Sequence, residues 1–203
     1  MTKSTLNEYI LLDRSGSMSN RWGEALSSIN AYVEDAKGKV KTKVTVATFD
    51  SQVDMIFDII RDKQSAKKWE PLTDKDATPR GMTPLFDAIG KVVTLAEGQD
   101  HKQTVIVVMT DGAENSSREV SQEAAKAALD RCRAKGWQVV FLGADFDAVR
   151  QGATVGVTMD SAINMTAGNY GATMRGVRHK TMAYASGAGD VSFSDEDRKD
   201  ATK

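Results

Sequence analysis

Short apolar runs and helical apolar stripes alternate along the chain. Tyr9–Leu12 is an apolar run that stops at Asp13, as a buried strand does. Trp22, Ala25, Leu26, Ile29 and Val33 follow at helical spacing, and Gly38 ends that stretch. Val44, Val46 and Phe49 alternate with Thr45, Thr48 and Asp50. After Asp50-Ser51-Gln52 the alternation resumes at Val53, Met55, Phe57 and Ile59, which predicts a β-hairpin. Residues 61–81 are polar, punctuated by Pro71, Pro79 and Gly81, and predict a loop. Pro84 suits the first position of a helix, where its missing N–H costs nothing. Leu85, Phe86, Ile89, Val92, Val93 and Ala96 continue on one face of that helix. Val105–Met109 has no polar interruption, the pattern of a central parallel strand covered on both faces.

A helix over about 119–135 is predicted to bury Val120, Ala124, Ala127, Ala128 and Cys132, with Gly136 ending it. Val139–Leu142 predicts another buried strand, and Val155–Met159 a shorter one. Tyr170, Met174, Val177, Thr181 and Tyr184 share one face of a last helix. Gly168, Gly171 and Gly176 each weaken that helix by about 1 kcal/mol against alanine. From Gly187 onward the chain is small, polar and acidic, which predicts a mobile tail. Strands alternating with helices give a mostly parallel sheet covered on both faces. Such sheets place ligand sites at the carboxyl ends of their strands.

Composition narrows the classes. A chain of 203 residues fits one domain. Its 27 basic and 28 acidic side chains leave a formal net charge of -1, so a nucleic-acid duplex is not the default partner. A single cysteine, Cys132, makes no internal disulfide and suits a reducing compartment. The start, Met1-Thr2-Lys3-Ser4, leads to Glu8 without an apolar core, unlike a secretory signal. The apolar runs fall far short of the ~20 residues of a membrane helix. A soluble, cytoplasmic protein with no membrane partner is expected.

The informative residues stand at three predicted element boundaries. Asp13-Arg14-Ser15-Gly16-Ser17 follows the first strand. Gly81-Met82-Thr83-Pro84-Leu85 opens a helix. Thr110-Asp111-Gly112 follows the Val105–Met109 strand. Asp13, Asp111, Ser15, Ser17 and Thr83 offer two carboxylates and three hydroxyls, with no His or Cys. A hard divalent cation takes such an all-oxygen set, and Mg²⁺ prefers it octahedral with several waters retained. Asp13, Ser15 and Ser17 alternate, so an extended loop can aim all three oxygens at one centre, and Gly16 lets it bend.

Asp-x-Ser-x-Ser, a distant Thr-Pro-Leu and Thr-Asp-Gly, in that order, resemble the von Willebrand factor A domain with its metal-ion-dependent adhesion site. The resemblance runs from about Glu8 to Gly143, and residues 141–186 look like the closing segment of intracellular prokaryotic and phage members. It implies a Rossmann-like three-layer α/β/α sandwich over residues 1–186, mostly parallel with one antiparallel edge strand, and a flexible acidic tail over 187–203. By the resemblance, Ser15 and Ser17 ligate the metal directly, and Thr83 does so in the ligand-bound arrangement. Asp13 acts directly or through water, and Asp111 through water. The implied cation is Mg²⁺, with Mn²⁺ also accepted by these ligands. The remaining position is left for an Asp or Glu carboxylate of a protein partner, which makes the chain a metal-dependent protein-binding module.

Other readings stay open beside it. Ser15 and Ser17 suit helix capping, and Asp111-Gly112 suits a plain turn. Glu114, Asn115, Asp145 and Asp147 fall on the same rim and suit loop and capping roles. Lys37, Lys39, Lys41 and Lys43 suit a solvated edge that discourages sheet-to-sheet pairing. His101 and His179 suit the surface and Cys132 the core. Met18 and Met82 flank the ligand loops and are expected to form an apolar rim for a partner. A metal-dependent phosphatase or hydrolase is the enzymatic alternative, but Ser15 stands where an aspartyl-nucleophile enzyme has its second acid. No serine-nucleophile elbow or phosphate-binding glycine loop is present. RNA binding is disfavoured by the balanced charge and 6% aromatic content.

Overall fold

The computed structural model describes residues 5–99, 101–144 and 148–202. Six strands form one sheet in the order β3-β2-β1-β4-β5-β6. They are β1 (Leu6–Asp13), β2 (Thr42–Ser51), β3 (Met55–Ser65), β4 (Gln103–Thr110), β5 (Gln138–Ala144) and β6 (Ala162–Met165). All neighbours are parallel except β2 and β3, whose hairpin makes β3 an antiparallel edge. The helices are α1 (Trp22–Glu34), α2 (Leu85–Glu97), α3 (Gln122–Ala134), α4 (Ala148–Thr154), α5 (Tyr170–Ser186) and α6 (Asp195–Ala201). This is the three-layer α/β/α sandwich that the pattern and the resemblance predict.

The pleat sorts the core. Leu6, Ile10 and Leu12 of β1 join the cluster of α1, α5 and α6, with Trp22, Ile29, Tyr170 and Val177. Tyr9 and Leu11 join the opposite cluster of α2 and α3, with Ile89, Val93, Leu129 and Cys132. β1 and β4 are buried on both faces over nearly their whole length, which is why their sequences read as apolar runs.

Several expected boundaries move, each for a physical reason. β3 runs on to Ser65, because its wholly polar end, residues 61–65, still pairs with β2, with Lys63 taking a positive φ where that pairing slips. Pro84 stands just before α2 rather than at its first position. α3 begins at Gln122, since the buried Asp87 carboxylate accepts the backbone N–H groups of Arg118, Glu119 and Val120 at 2.9, 3.0 and 2.7 Å and holds them outside the helix. Its buried face is Ala125, Ala128, Leu129 and Cys132, while Ala124 and Ala127 are exposed. Val155–Met159 is not a strand. Gly156 turns the chain there at φ +73°, Val155 and Val157 plug the core, and the pairing strand is Ala162–Met165.

The stretch expected as a tail carries structure as far as Thr202. Val191, Phe193 and Ala201 enter the α5 side of the core, and Ser194 with Asp197 forms a capping box at the start of α6. Three apolar anchors scattered among acids give no run for a sequence pattern to find. Among the described residues, no helix is long and apolar enough to cross a membrane.

Candidate metal centre

The sheet order reverses at β1, which has β2 on one side and β4 on the other. The carboxyl ends of β1 and β4 form a crevice there, the usual ligand position of such folds. Leu12 pairs with Met109, so Asp13 and Thr110 end neighbouring strands. Beyond Asp13 the chain makes a 3-10 turn, Gly16–Arg21, before α1. Met18 is fully buried and pins that turn into the core. The expectation of Met18 as a rim residue is therefore corrected: its side chain is buried, while Met82 is 44% exposed.

Four of the five predicted ligands are joined by hydrogen bonds or hydroxyl contacts. The Ser15 and Ser17 hydroxyl oxygens lie 3.0 Å apart. The Ser17 hydroxyl donates to Asp111 Oδ1 at 2.6 Å. Asp13 Oδ1 accepts the Ser15 backbone N–H at 2.7 Å, and its Oδ2 accepts the Thr110 hydroxyl at 2.6 Å. Thr83 is the fifth. A Cβ built on Gly112 would stand 3.2 Å from Thr83 Oγ1 and 3.8 Å from Ser17 Oγ, so both hydroxyls border one small space beside Gly112. Ser15 precedes the 3-10 turn without a side-chain capping bond, and α1 has none either. The capping reading of these serines thus has no hydrogen bond to support it.

The second loop is held by backbone. Ser51 and Met82 exchange N–H to C=O bonds at 3.1 and 2.8 Å, and the Gly16 N–H donates to the Gly81 carbonyl at 3.0 Å. Gly81 has φ +69°, and a Cβ there would meet the Ser51 carbonyl oxygen at 2.3 Å. Only glycine fits that approach. Asn115 Oδ1 accepts the Thr83 N–H at 2.9 Å, and Glu114 accepts the Phe86 N–H at 3.0 Å and those of Ser116 and Ser117. Both are bracing residues of the loop, as the sequence predicts. Asp145 and Asp147 lie outside the described residues.

Two functional neighbours escape the sequence reading. Arg14, in the variable position of the first motif, is buried and bonds Asp50 at 2.6 Å and Asp58 at 2.7 Å, tying the ligand loop to the β2–β3 hairpin. Arg21 Nη1 lies 2.7 Å from Asp111 Oδ2. A period-based reading files both arginines as surface residues. Elsewhere His179, Lys37, Lys39 and Lys41 are exposed, Lys43 and His101 are half-buried, and Cys132 is buried.

Burial pushes the Asp13 carboxyl up to about 6, with the nearby Asp111 charge adding to the rise and bonds from Thr110 and Ser15 opposing it. No group of three or more His, Cys, Asp or Glu side chains among the described residues is arranged to hold a metal. A cation here would rest on hydroxyls and two acids. That set fits a hard divalent ion. An octahedron with bonds of about 2.1 Å has edges of about 3 Å between neighbouring oxygens, and the two serine hydroxyls stand at that separation.

A doubly wound sheet with an oxygen cluster at its switch point defines a class of metal-site α/β domains. The family profile of the von Willebrand factor type A domain matches residues 9–174, and the chain belongs to that family. No curated protein matches it in sequence. Among solved structures it is similar to proximal thread matrix protein 1 from the mussel byssus, with a zinc-occupied adhesion-site motif, at 17% identity and TM-score 0.65 over 90% of this chain and 46% of that one. It is similar to the tip-protein domain of the type V pili of Porphyromonas gingivalis at 11% identity and TM-score 0.68, covering 96% of this chain and 100% of that one. Manganese-loaded TRAP protein of Plasmodium vivax aligns at 16% identity and TM-score 0.52, over 70% and 58%. At such identities the likeness is one of fold. The chain spans less than half the length of the mussel protein.

Proposed function

We propose that the chain is a metal-dependent protein-binding module. Ser15, Ser17 and Thr83 would hold a divalent cation through hydroxyls, with Asp13 and Asp111 as its acidic partners. Mg²⁺ is the proposed ion, and Mn²⁺ accepts the same ligands. The cation supplies an electrophilic point for an Asp or Glu carboxylate of a protein partner. The carrying observation is the convergence of the Ser15, Ser17 and Asp111 oxygens, 3.0 and 2.6 Å apart in sequence of contact, with Asp111 ninety-four residues away. Metal-occupied relatives of the same fold support it.

A binding role is favoured over hydrolysis. Ser15 stands where an aspartyl-nucleophile enzyme has its second acid, so Asp13 has the Ser15 N–H and the Thr110 hydroxyl as neighbours rather than an acid–base partner. The single buried Cys132 supports a reducing compartment and hence the cytoplasm. The deciding experiment is a thermal melt of wild type and Asp13→Ala in EDTA, Mg²⁺ and Mn²⁺. A ligand that binds only the native state adds about 2.7 kcal/mol at a hundredfold excess over Kd. A metal-dependent rise in wild type alone is expected. No rise there, with no heat in a direct Mn²⁺ titration, overturns the reading.

A further inference from the structure

We propose that Arg21 is a built-in counter-cation of this site, which competes with the incoming metal for Asp111 and so sets how tightly the metal is held. This rests on the reading of the site as a metal centre. Asp111 has a fully buried side chain, and both its oxygens are engaged. The Ser17 hydroxyl takes Oδ1 at 2.6 Å, and the Arg21 guanidinium takes Oδ2 at 2.7 Å. The guanidinium is held there. Met18 anchors the 3-10 turn on one side of Arg21, and Trp22 anchors α1 on the other, with its indole N–H on the Ala77 carbonyl at 3.1 Å.

The two acids of the site therefore differ. Asp13 has no ion-pair partner among the described residues, whereas Asp111 carries a cation of the protein's own. A divalent ion that draws on Asp111, directly or through water, must share Oδ2 with Arg21 or displace it. A guanidinium this near a dication weakens its binding by about tenfold even under the screening of bulk water, and by more where screening is weaker. The competing role for Arg21, simple orientation of Asp111, has the opposite sign: removing the arginine would then loosen the metal.

The test uses the full chain as wild type, Arg21→Gln, Arg21→Met and Arg21→Lys, in Mn²⁺ titrations followed by calorimetry and by thermal melting. Arg21→Met keeps the aliphatic stem should the glutamine variant pack badly. The expected result is a lower melting temperature without metal for the neutral variants, about tenfold tighter Mn²⁺ binding, and melting temperatures that converge with wild type at saturation. Arg21→Lys restores the wild-type affinity. Mn²⁺ affinity unchanged or weakened in both neutral variants overturns this inference while leaving the metal centre standing. Mn²⁺ bound by none of the proteins overturns both.

Discussion

Strand β1 carries a buried acid near each end, and the protein treats the two in opposite ways. Near the start, Glu8 is 1% exposed and is gripped by Arg178 of α5 through two bonds of 2.5 and 3.0 Å. Tyr32 of α1 donates its hydroxyl to the same carboxylate at 3.1 Å, lays its ring 3.5 Å from the guanidinium, and accepts Arg178 Nε on its carbonyl at 2.8 Å. At the other end Asp13, equally buried, has hydroxyl and amide neighbours and no ion pair among the described residues. Where charge is matched the acid serves the fold. Where it is left over, the acid belongs to the proposed metal site. The first acid locks β1, α1 and α5 together, and the second stands where the parallel strands open to solvent.

The sharpest way to break this contrast is to remove the matching charge. Arg178→Met leaves Glu8 buried and unpaired and is expected to cost about 3–5 kcal/mol in urea denaturation. Adding Glu8→Gln to it recovers part of that loss, since the orphaned charge is gone. A loss below about 1 kcal/mol for Arg178→Met would mean that the pair contributes little to holding α5 on the sheet.

The same kind of change at the other end should have the opposite sign. Asp13→Asn removes a buried charge with no cation beside it. Its Oδ1 keeps the Ser15 N–H, and its amide faces Thr110, whose hydroxyl has a second acceptor in the Gly112 carbonyl at 3.1 Å. At pH 7 and without metal, a gain of about 1–2 kcal/mol is expected, together with loss of the metal-induced rise. A destabilisation matching that of Arg178→Met would make Asp13 a structural residue first.

How much of this was legible in the sequence follows from what each residue leans on. The candidate site stands out in the sequence because the acids proposed for it sit at strand ends, where a short apolar run meets a polar cluster, as at Leu12-Asp13 and Met109-Thr110-Asp111. The central strands were legible because both faces are covered. The Glu8–Arg178 lock was not, since its partners are 170 residues apart and a charge in a core position looks like an interruption of the pattern. Arg14 was hidden in the same way: its partners, Asp50 and Asp58, belong to a hairpin whose own pattern concerns only its strands. The α3 phase slipped because a single carboxylate, Asp87, shortens the helix from another element. Val191 and Phe193 escaped because two buried side chains in a short polar stretch give no period. Local pattern reports burial of runs, and it is silent about individual long-range polar contacts.

The mildest change separates ligand from scaffold most cleanly. Ser15→Ala with Ser17→Ala removes two hydroxyls that cap no helix and bond chiefly to each other and to Asp111. The backbone bonds that fix the loop, Ser15 N–H to Asp13 and Gly16 N–H to Gly81, survive the substitution. Metal-free stability should fall by about 1–2 kcal/mol, since the buried Asp111 Oδ1 loses its hydroxyl donor while Oδ2 keeps Arg21. The rise with Mg²⁺ or Mn²⁺ should vanish, because two of the five proposed ligands are gone. A double variant that still melts at a higher temperature with Mn²⁺ would move the cation onto Asp13, Asp111 and Thr83. A variant that no longer unfolds cooperatively would instead make the serines part of the scaffold, and the contrast between the two ends of β1 would then lie in their partners rather than in their roles.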